Sequence, residues 1–196
     1  MKPTLILFAR TPRRGAVKRR LAAAIGDAAA LRFHRLTLDA LVRRLARDAR
    51  WRTVLCVTAG AYRWPRGVPR IAQARGGLGA RMARIIAAMP PGPVVLVGSD
   101  IPGVRPPHIA RAFRVLARHH AVFGPAGDGG YWLVGVRDRG LLGHLFDDVR
   151  WSTADALADT IANLPPGRRH ALCDTLSDVD DAAAWRGWRG RAIRSR

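Results

Sequence analysis

Two periodicities alternate along this chain of 196 residues. Runs rich in branched and aromatic residues stand at Thr4–Phe8, Thr53–Val57, Val94–Val97, Ala121–Phe123 and Tyr131–Val136, and each predicts a strand. Between them the apolar residues space out to the rhythm of amphipathic helices. Leu31, Leu38, Leu41, Val42 and Leu45 form one stripe, and Met82, Ile85, Ile86 and Met89 a second. Ile109, Ala112, Phe113 and Leu116 form a third, and Leu157, Ala158, Ile161 and Leu164 a fourth. Trp185 with Trp188 predicts a short terminal helix. Strands separated by helices in this way predict right-handed βαβ crossovers and a mainly parallel sheet. Val94–Val97 has no polar alternation, as expected of a strand covered on both faces. With no internal repeat and only short turn signals such as Pro90-Pro91-Gly92-Pro93, residues 1–196 read as a single α/β domain.

Composition narrows the function classes. No apolar run approaches the roughly 20 residues of a membrane span, and no signal-peptide pattern opens the chain, so a cytoplasmic location is expected. Cys56 and Cys173 stand apart from each other and from any histidine cluster, which supports neither a zinc site nor a disulfide framework. The net charge of +20 invites a nucleic-acid reading. Residue usage weakens it. Of 34 basic residues only Lys2 and Lys18 are lysine, and all 14 acidic residues are aspartate, a bias spread over the chain rather than a patch. No aromatic-rich strand or reader motif accompanies the arginines.

Three unusual loops follow strand-like runs, where ligands bind in open α/β sheets. The first, ARTPRRGAVKRRL at residues 9–21, places Gly15 among Arg10, Lys18 and Arg20 ahead of a helix expected from about Val17. Free N–H groups and forked cations there suit a phosphate, although the P-loop pattern is absent; a solvated basic turn is the competing account. In the second, VVLVGSDIPGV at residues 94–104, Asp100 ends the most buried-looking strand. A carboxylate there is costly unless paired or bound to a cation. It suits Mg²⁺, which takes one or two carboxylates and fills its remaining positions with water and phosphate; the alternative is a cap on a helix starting near Pro106. The third, FGPAGDGGYWLVG at residues 123–135, exposes backbone around Asp128, Gly129 and Gly130 ahead of Tyr131 and reads equally as a sugar or base pocket or as a turn between strands. Farther on, Ser152 and Asp155 in Trp151–Asp155 have the spacing of a capping box, with Trp151 ahead of them available to line a pocket. Asp178 and Asp180 share one side of an extended segment and offer either a second metal carboxylate or an acidic helix start.

In this order the motifs resemble a bacterial family of GT-A-type transferases of about this length, known as arsenosugar-biosynthesis or radical-SAM-associated glycosyltransferases. That family is distantly related to the molybdenum-cofactor and 2-phospho-L-lactate guanylyltransferases. The resemblance runs through Phe8, Pro12, Gly15, Val17, Lys18, Arg20 and Leu21, then Gln73, Gly76, Leu78, Gly79, Arg81 and Met82. It continues through Gly98-Ser99-Asp100-Ile101-Pro102, Gly124-Pro125, Asp128–Tyr131, Trp151–Thr153 and Asp178/Asp180. Departures are Arg10 for a lysine, Arg14 for a proline, Arg19 for a threonine, Gly77 for an aspartate and Asp181-Ala182-Ala183-Ala184-Trp185 for the residues usual after Asp180.

The resemblance implies a three-layer α/β/α Rossmann-like sandwich of the nucleotide-diphospho-sugar transferase type. It implies a transferase using Mg²⁺ or Mn²⁺, with a nucleotide-sugar or nucleoside triphosphate donor and a small-molecule acceptor. Arg10, Gly15, Lys18, Arg20, Gln73, Gly76, Gly79 and Arg81 would serve the nucleotide and its phosphates. Asp100, Asp178 and Asp180 would hold the metal, and Asp100, Lys18 and Asp128 would be catalytic. Ser99, Gly129, Gly130, Tyr131, Trp151, Ser152 and Thr153 would shape the substrate pocket.

Overall fold

A computed structural model describes residues 1–194. Its elements run β1 (Thr4–Ala9), α1 (Arg19–Ile25), α2 (Asp27–Ala46), β2 (Arg52–Val57), β3 (Arg70–Ala72), α3 (Leu78–Ala87) and β4 (Val94–Gly98). They continue with α4 (Pro106–Leu116), β5 (Ala121–Pro125), β6 (Tyr131–Val136), a 3₁₀ turn (Arg139–Gly143), α5 (Ala156–Ala162), β7 (His170–Leu172) and α6 (Ala182–Arg194). The strands form one sheet in the order β3-β2-β1-β4-β6-β5-β7. All pairings are parallel except those of β6, which runs against β4 and β5.

The period-two rule builds the layers. Leu5 and Leu7 of β1, with Val95 and Val97 of β4, pack on Leu38, Leu41 and Leu45 of α2 and Ile109 and Leu116 of α4. Ile6, Val94 and Leu96 turn to the opposite face and meet Met82, Ile85 and Ile86 of α3 and Leu141 and Leu145 around the 3₁₀ turn. The result is the expected α/β/α sandwich. A smaller cluster, Leu21, Ala30, Phe33 and Val179, ties α1 and α2 to the C-terminal segment, where Trp185 and Trp188 stack edge-on against Phe33.

The structure departs from the sequence pattern in several places. The three-residue strands β3 and β7 have no apolar signature; Arg70–Ala72 is exposed throughout, and each strand is held by one parallel neighbour. The first helix begins at Arg19 rather than near Val17, because Lys18 takes a left-handed backbone (φ 52°, ψ 42°) as its N-cap. Asp100 does not cap α4, whose N-cap is Arg105, with His108 Nδ1 accepting from the Arg105 N–H at 3.1 Å. Nor does Ser152 cap α5: the N-cap is Asp155, and Ser152 is itself left-handed at φ 65°.

β1 has β2 on one side and β4 on the other, so the chain order reverses between β1 and β4. Loops leaving the carboxyl ends of two such strands diverge and leave a crevice. Residues 10–18 leave β1 there, and Ser99-Asp100 leave β4 beside them.

Candidate active site

Asp100 stands at the centre of this crevice and lines two adjoining clefts, each of about 260 Å³. One is basic and is walled by Arg10, Lys18, Arg19, Arg20, His34 and Asp180. The other is largely apolar, with Phe8, Tyr131, Trp132 and Trp151 around Asp128 and Asp178. Of the expected pocket residues, Gly130, Tyr131, Trp151, Ser152 and Thr153 line this second cleft, while buried Ser99 does not.

Lys18 explains why its backbone is held left-handed. Its side chain is 2% exposed, and Nζ lies 2.5 Å from Asp180 Oδ1 and 3.4 Å from Asp100 Oδ1. A left-handed non-glycine residue costs about 1–3 kcal/mol and persists where the surroundings determine it. Here the surroundings are two carboxylates from distant parts of the chain. Asp100 Oδ1 is buried, while 43% of the side-chain surface stays open. Burial pushes the Asp100 carboxyl up, but His34 and the Lys18 ammonium outweigh it and bring the group down to about 2. Asp178 moves the other way: burial and the charges of Asp180, Asp128 and Asp100 outweigh Lys18 and raise it to about 6. This corner carries more negative charge than one ammonium neutralises.

That imbalance fits a divalent cation. No three carboxylate, imidazole or thiol groups converge as a ready-made cluster among the described residues. Asp100 and Asp178 share one cleft, and Asp100 and Asp180 the other. One or two carboxylates completed by water and phosphate is the coordination Mg²⁺ favours.

The glycines and polar residues expected on the nucleotide side divide in two. Gly15 is exposed at φ 70° with open space around it, in the loop that walls the basic cleft. Arg20 lies at the basic cleft and pairs with Asp181 at 3.2 Å. Gln73, Gly76, Gly79 and Arg81 line neither cleft. Gln73 Nε2 instead donates to the carbonyls of Ala9 and Cys56, at 3.1 and 3.2 Å, closing the ends of β1 and β2. Its Oε1 accepts from Arg81, whose guanidinium lies 5.9 Å from the Phe8 ring centre and backs that wall of the apolar cleft. Gly79 is a packing position, since a Cβ there would come within 2.7 Å of Phe146 Cβ. Gly129 is another: at φ 84° its Cβ would lie 2.1 Å from the Ala154 carbonyl oxygen. It thereby seats the loop that carries Trp151, Ser152 and Thr153.

Asp128 accepts the Gly130 N–H on Oδ1 at 3.0 Å and faces the apolar cleft. Tyr131, whose hydroxyl is pushed well above its usual range by burial, accepts from Thr160 at 3.3 Å and sits 6.2 Å from the Trp151 ring. His34 is the site residue that the pattern did not single out. Its Nε2 lies 3.1 Å from the Arg10 carbonyl and its Nδ1 3.5 Å from Asp100 Oδ1. The available signal was a histidine on the buried face of α2, which also describes an ordinary core histidine.

Residues 36–153 match the family described as "Uncharacterized protein conserved in bacteria (DUF2064)". The chain belongs to DUF2064. Its fold is that of a protein from Desulfovibrio desulfuricans provisionally named a nucleotide-diphospho-sugar transferase, with 26% identity and a TM-score of 0.80 over 92% of this chain and 83% of that one. CMP:2-keto-3-deoxy-manno-octonic acid synthetase complexed with CTP shares the fold at 11% identity and TM-score 0.61, with both chains fully covered. So does Rv0371c from Mycobacterium tuberculosis in complex with manganese, at 17% identity and TM-score 0.52 over 95% of this chain and 97% of that one. No curated protein matches the DUF2064 chain. Among its described residues no helix is long and apolar enough to cross a membrane.

Proposed function

We propose that this DUF2064 chain is a transferase that moves a glycosyl group from a nucleotide-sugar donor to a small-molecule acceptor. The observation that carries the reading is Asp100 on the shared wall of a basic and an aromatic cleft. A donor diphosphate suits the cations of Arg10, Lys18 and Arg19, and a sugar ring suits the faces of Phe8, Tyr131 and Trp151. The bond between them then lies beside Asp100.

Asp100, with Asp178 or Asp180, would hold Mg²⁺ or Mn²⁺, and the bound ion would supply charge neutralisation on the departing diphosphate. A structural neighbour crystallised with manganese is consistent with that assignment. The arginines of the first loop share the same load and align the donor. Asp128 holds one oxygen on the Gly130 N–H and keeps the other to take the proton of an acceptor hydroxyl. Gln73 and Arg81 act from behind by fixing Phe8.

One feature favours nucleotidyl transfer as a second reading. The first loop and the start of α1 carry six cations between Arg10 and Arg20, more than a diphosphate needs, and a triphosphate donor would use them. Thermal-shift screening of nucleoside triphosphates and nucleotide sugars, with and without Mg²⁺ or Mn²⁺, tests the proposal. A ligand at about 100 times its Kd stabilises by about 2.7 kcal/mol, or roughly 5–10 °C for a domain of this size. Asp100→Asn should abolish the metal-dependent part. Release of nucleoside diphosphate then identifies glycosyl transfer, and release of pyrophosphate nucleotidyl transfer. A basic nucleic-acid binder would give neither product and would survive chelation, its affinity falling steeply with salt.

A further inference from the structure

We infer that His34 is a positioning residue that couples the first loop to Asp100. The inference rests on the reading of Asp100 as a metal carboxylate. His34 projects from the middle of α2, is 2% exposed, and lies among residues that pack the sheet. A side chain present only to fill space there would be apolar, since a buried polar ring is costly unless its nitrogens are bonded. Both nitrogens are aimed at the site instead.

Nε2 faces the Arg10 carbonyl at 3.1 Å. Nδ1 then faces Asp100 Oδ1 at 3.5 Å. Neither atom has a hydrogen bond of ordinary length, and both are sealed from solvent. An approach of a few tenths of an ångström would bring them to hydrogen-bond distance on an oxygen that Lys18 Nζ faces from another side at 3.4 Å. His34 therefore selects which carboxylate oxygen turns inward and leaves the rest of the Asp100 side chain facing the clefts. Histidine–carboxylate contacts behind a metal ligand orient it in this way, and losing such a contact typically costs about 10–100-fold in metal affinity. Because the other nitrogen holds the main chain of the first loop, displacement of Arg10 by a bound phosphate reaches Asp100 through a single ring.

Amide variants separate the two contacts. The side-chain nitrogen of glutamine overlays Nε2 and that of asparagine overlays Nδ1. His34→Gln keeps the Arg10 bond and strips Oδ1 of the ring contact, leaving only Lys18 beside it; His34→Asn does the reverse. Mn²⁺ binding to the full chain, followed by electron paramagnetic resonance without nucleotide, is expected to weaken about 10–100-fold in H34Q and to stay within about 3-fold of wild type in H34N. A merely structural histidine would weaken both equally or neither, and either result overturns the inference. Asp100→Asn run in parallel keeps the two readings apart: undiminished Mn²⁺ binding there sinks the metal assignment, whereas lost binding there with full binding in H34Q sinks only the role of His34. Should a variant not fold, ¹⁵N-histidine spectra of the wild type decide. Mg²⁺ is expected to move the His34 Nδ1 resonance more than Nε2, and a spectrum in which neither moves rejects the coupling.

Discussion

Replacing Lys18 with methionine removes the one ammonium that lies between Asp100 and Asp180 while keeping the bulk of a 2%-exposed side chain. Breaking a fully buried ion pair costs about 3–5 kcal/mol. Here both carboxylates keep about 40% of their side-chain surface open, so water takes up much of the lost attraction and about 1–2 kcal/mol is expected. For a chain of this size that lowers Tm by roughly 2–8 °C. The diagnostic result comes on adding Mn²⁺. With Asp100 and Asp180 as the proposed ligands, the ammonium and the metal would compete for the same carboxylates in the wild type, whereas in K18M the metal would meet no competitor. At about 100 times Kd it returns about 2.7 kcal/mol, enough to cancel the loss. Differential scanning calorimetry on both proteins, with chelator and with Mn²⁺, reads this out. K18M should melt lower in chelator, gain more from Mn²⁺ than the wild type, and lose the further shift given by nucleotide. Equal Mn²⁺ shifts in the two proteins would refute this competition.

Other outcomes follow from the same geometry. Gly15→Ala and Gly129→Ala impose similar left-handed strain, at φ 70° and 84°, but only the second meets an atom, the Ala154 oxygen 2.1 Å from the new Cβ. Thermal melts should show about 1 kcal/mol lost in G15A and about 2–4 kcal/mol in G129A, and equal losses would contradict the packing role of Gly129. Asp178 is raised to about 6, so its contribution to stability is fully present below about pH 4 and is lost as pH rises through 6. Without metal, Asp178→Asn should therefore gain on the wild type between pH 4 and 7, and parallel pH profiles would count against the carboxylate crowding. At pH 6 the wild type should also release protons on binding Mn²⁺, measurable by calorimetry in buffers of different ionisation enthalpy, while D178N releases fewer. Trp151→Ala opens the apolar cleft and should weaken donor sugars more than the bare nucleoside diphosphate; an equal loss for both would move the sugar out of that cleft.

The strands at Thr4–Phe8, Thr53–Val57, Val94–Val97, Ala121–Phe123 and Tyr131–Val136 were legible because each is buried by its own apolar residues, as were the helices behind stripes such as Met82–Met89. β3 and β7 were not, because their residues are half-exposed or exposed and only a neighbour's backbone makes them strands. The same distinction runs through the site. Asp100 could be picked out because a carboxylate ending an apolar run stands out locally. Gly79 and Gly129 show local signs too, but the pattern Gly-x-Arg or Asp-Gly-Gly does not say whether open backbone faces a ligand or another loop. Lys18 was a phosphate candidate, but its pairing with Asp180 and Asp100, like the place of His34, depends on contacts that no local window contains. The Lys18–Asp180 pair spans 162 positions, and His34 is hidden within an apolar stripe. Charge order along the chain nevertheless anticipates the assembly. Only Asp27, Asp39 and Asp48 precede Asp100, while Asp128, Asp178 and Asp180 follow the arginine-rich first loop from far downstream. A sheet whose order reverses between β1 and β4 sets the end of the first segment beside Asp100, and the return of the chain past β5 closes the later carboxylates over it. The cations and the carboxylates become one site only when the sheet is complete, so destabilising the C-terminal segment at Val179 should remove metal and phosphate affinity together.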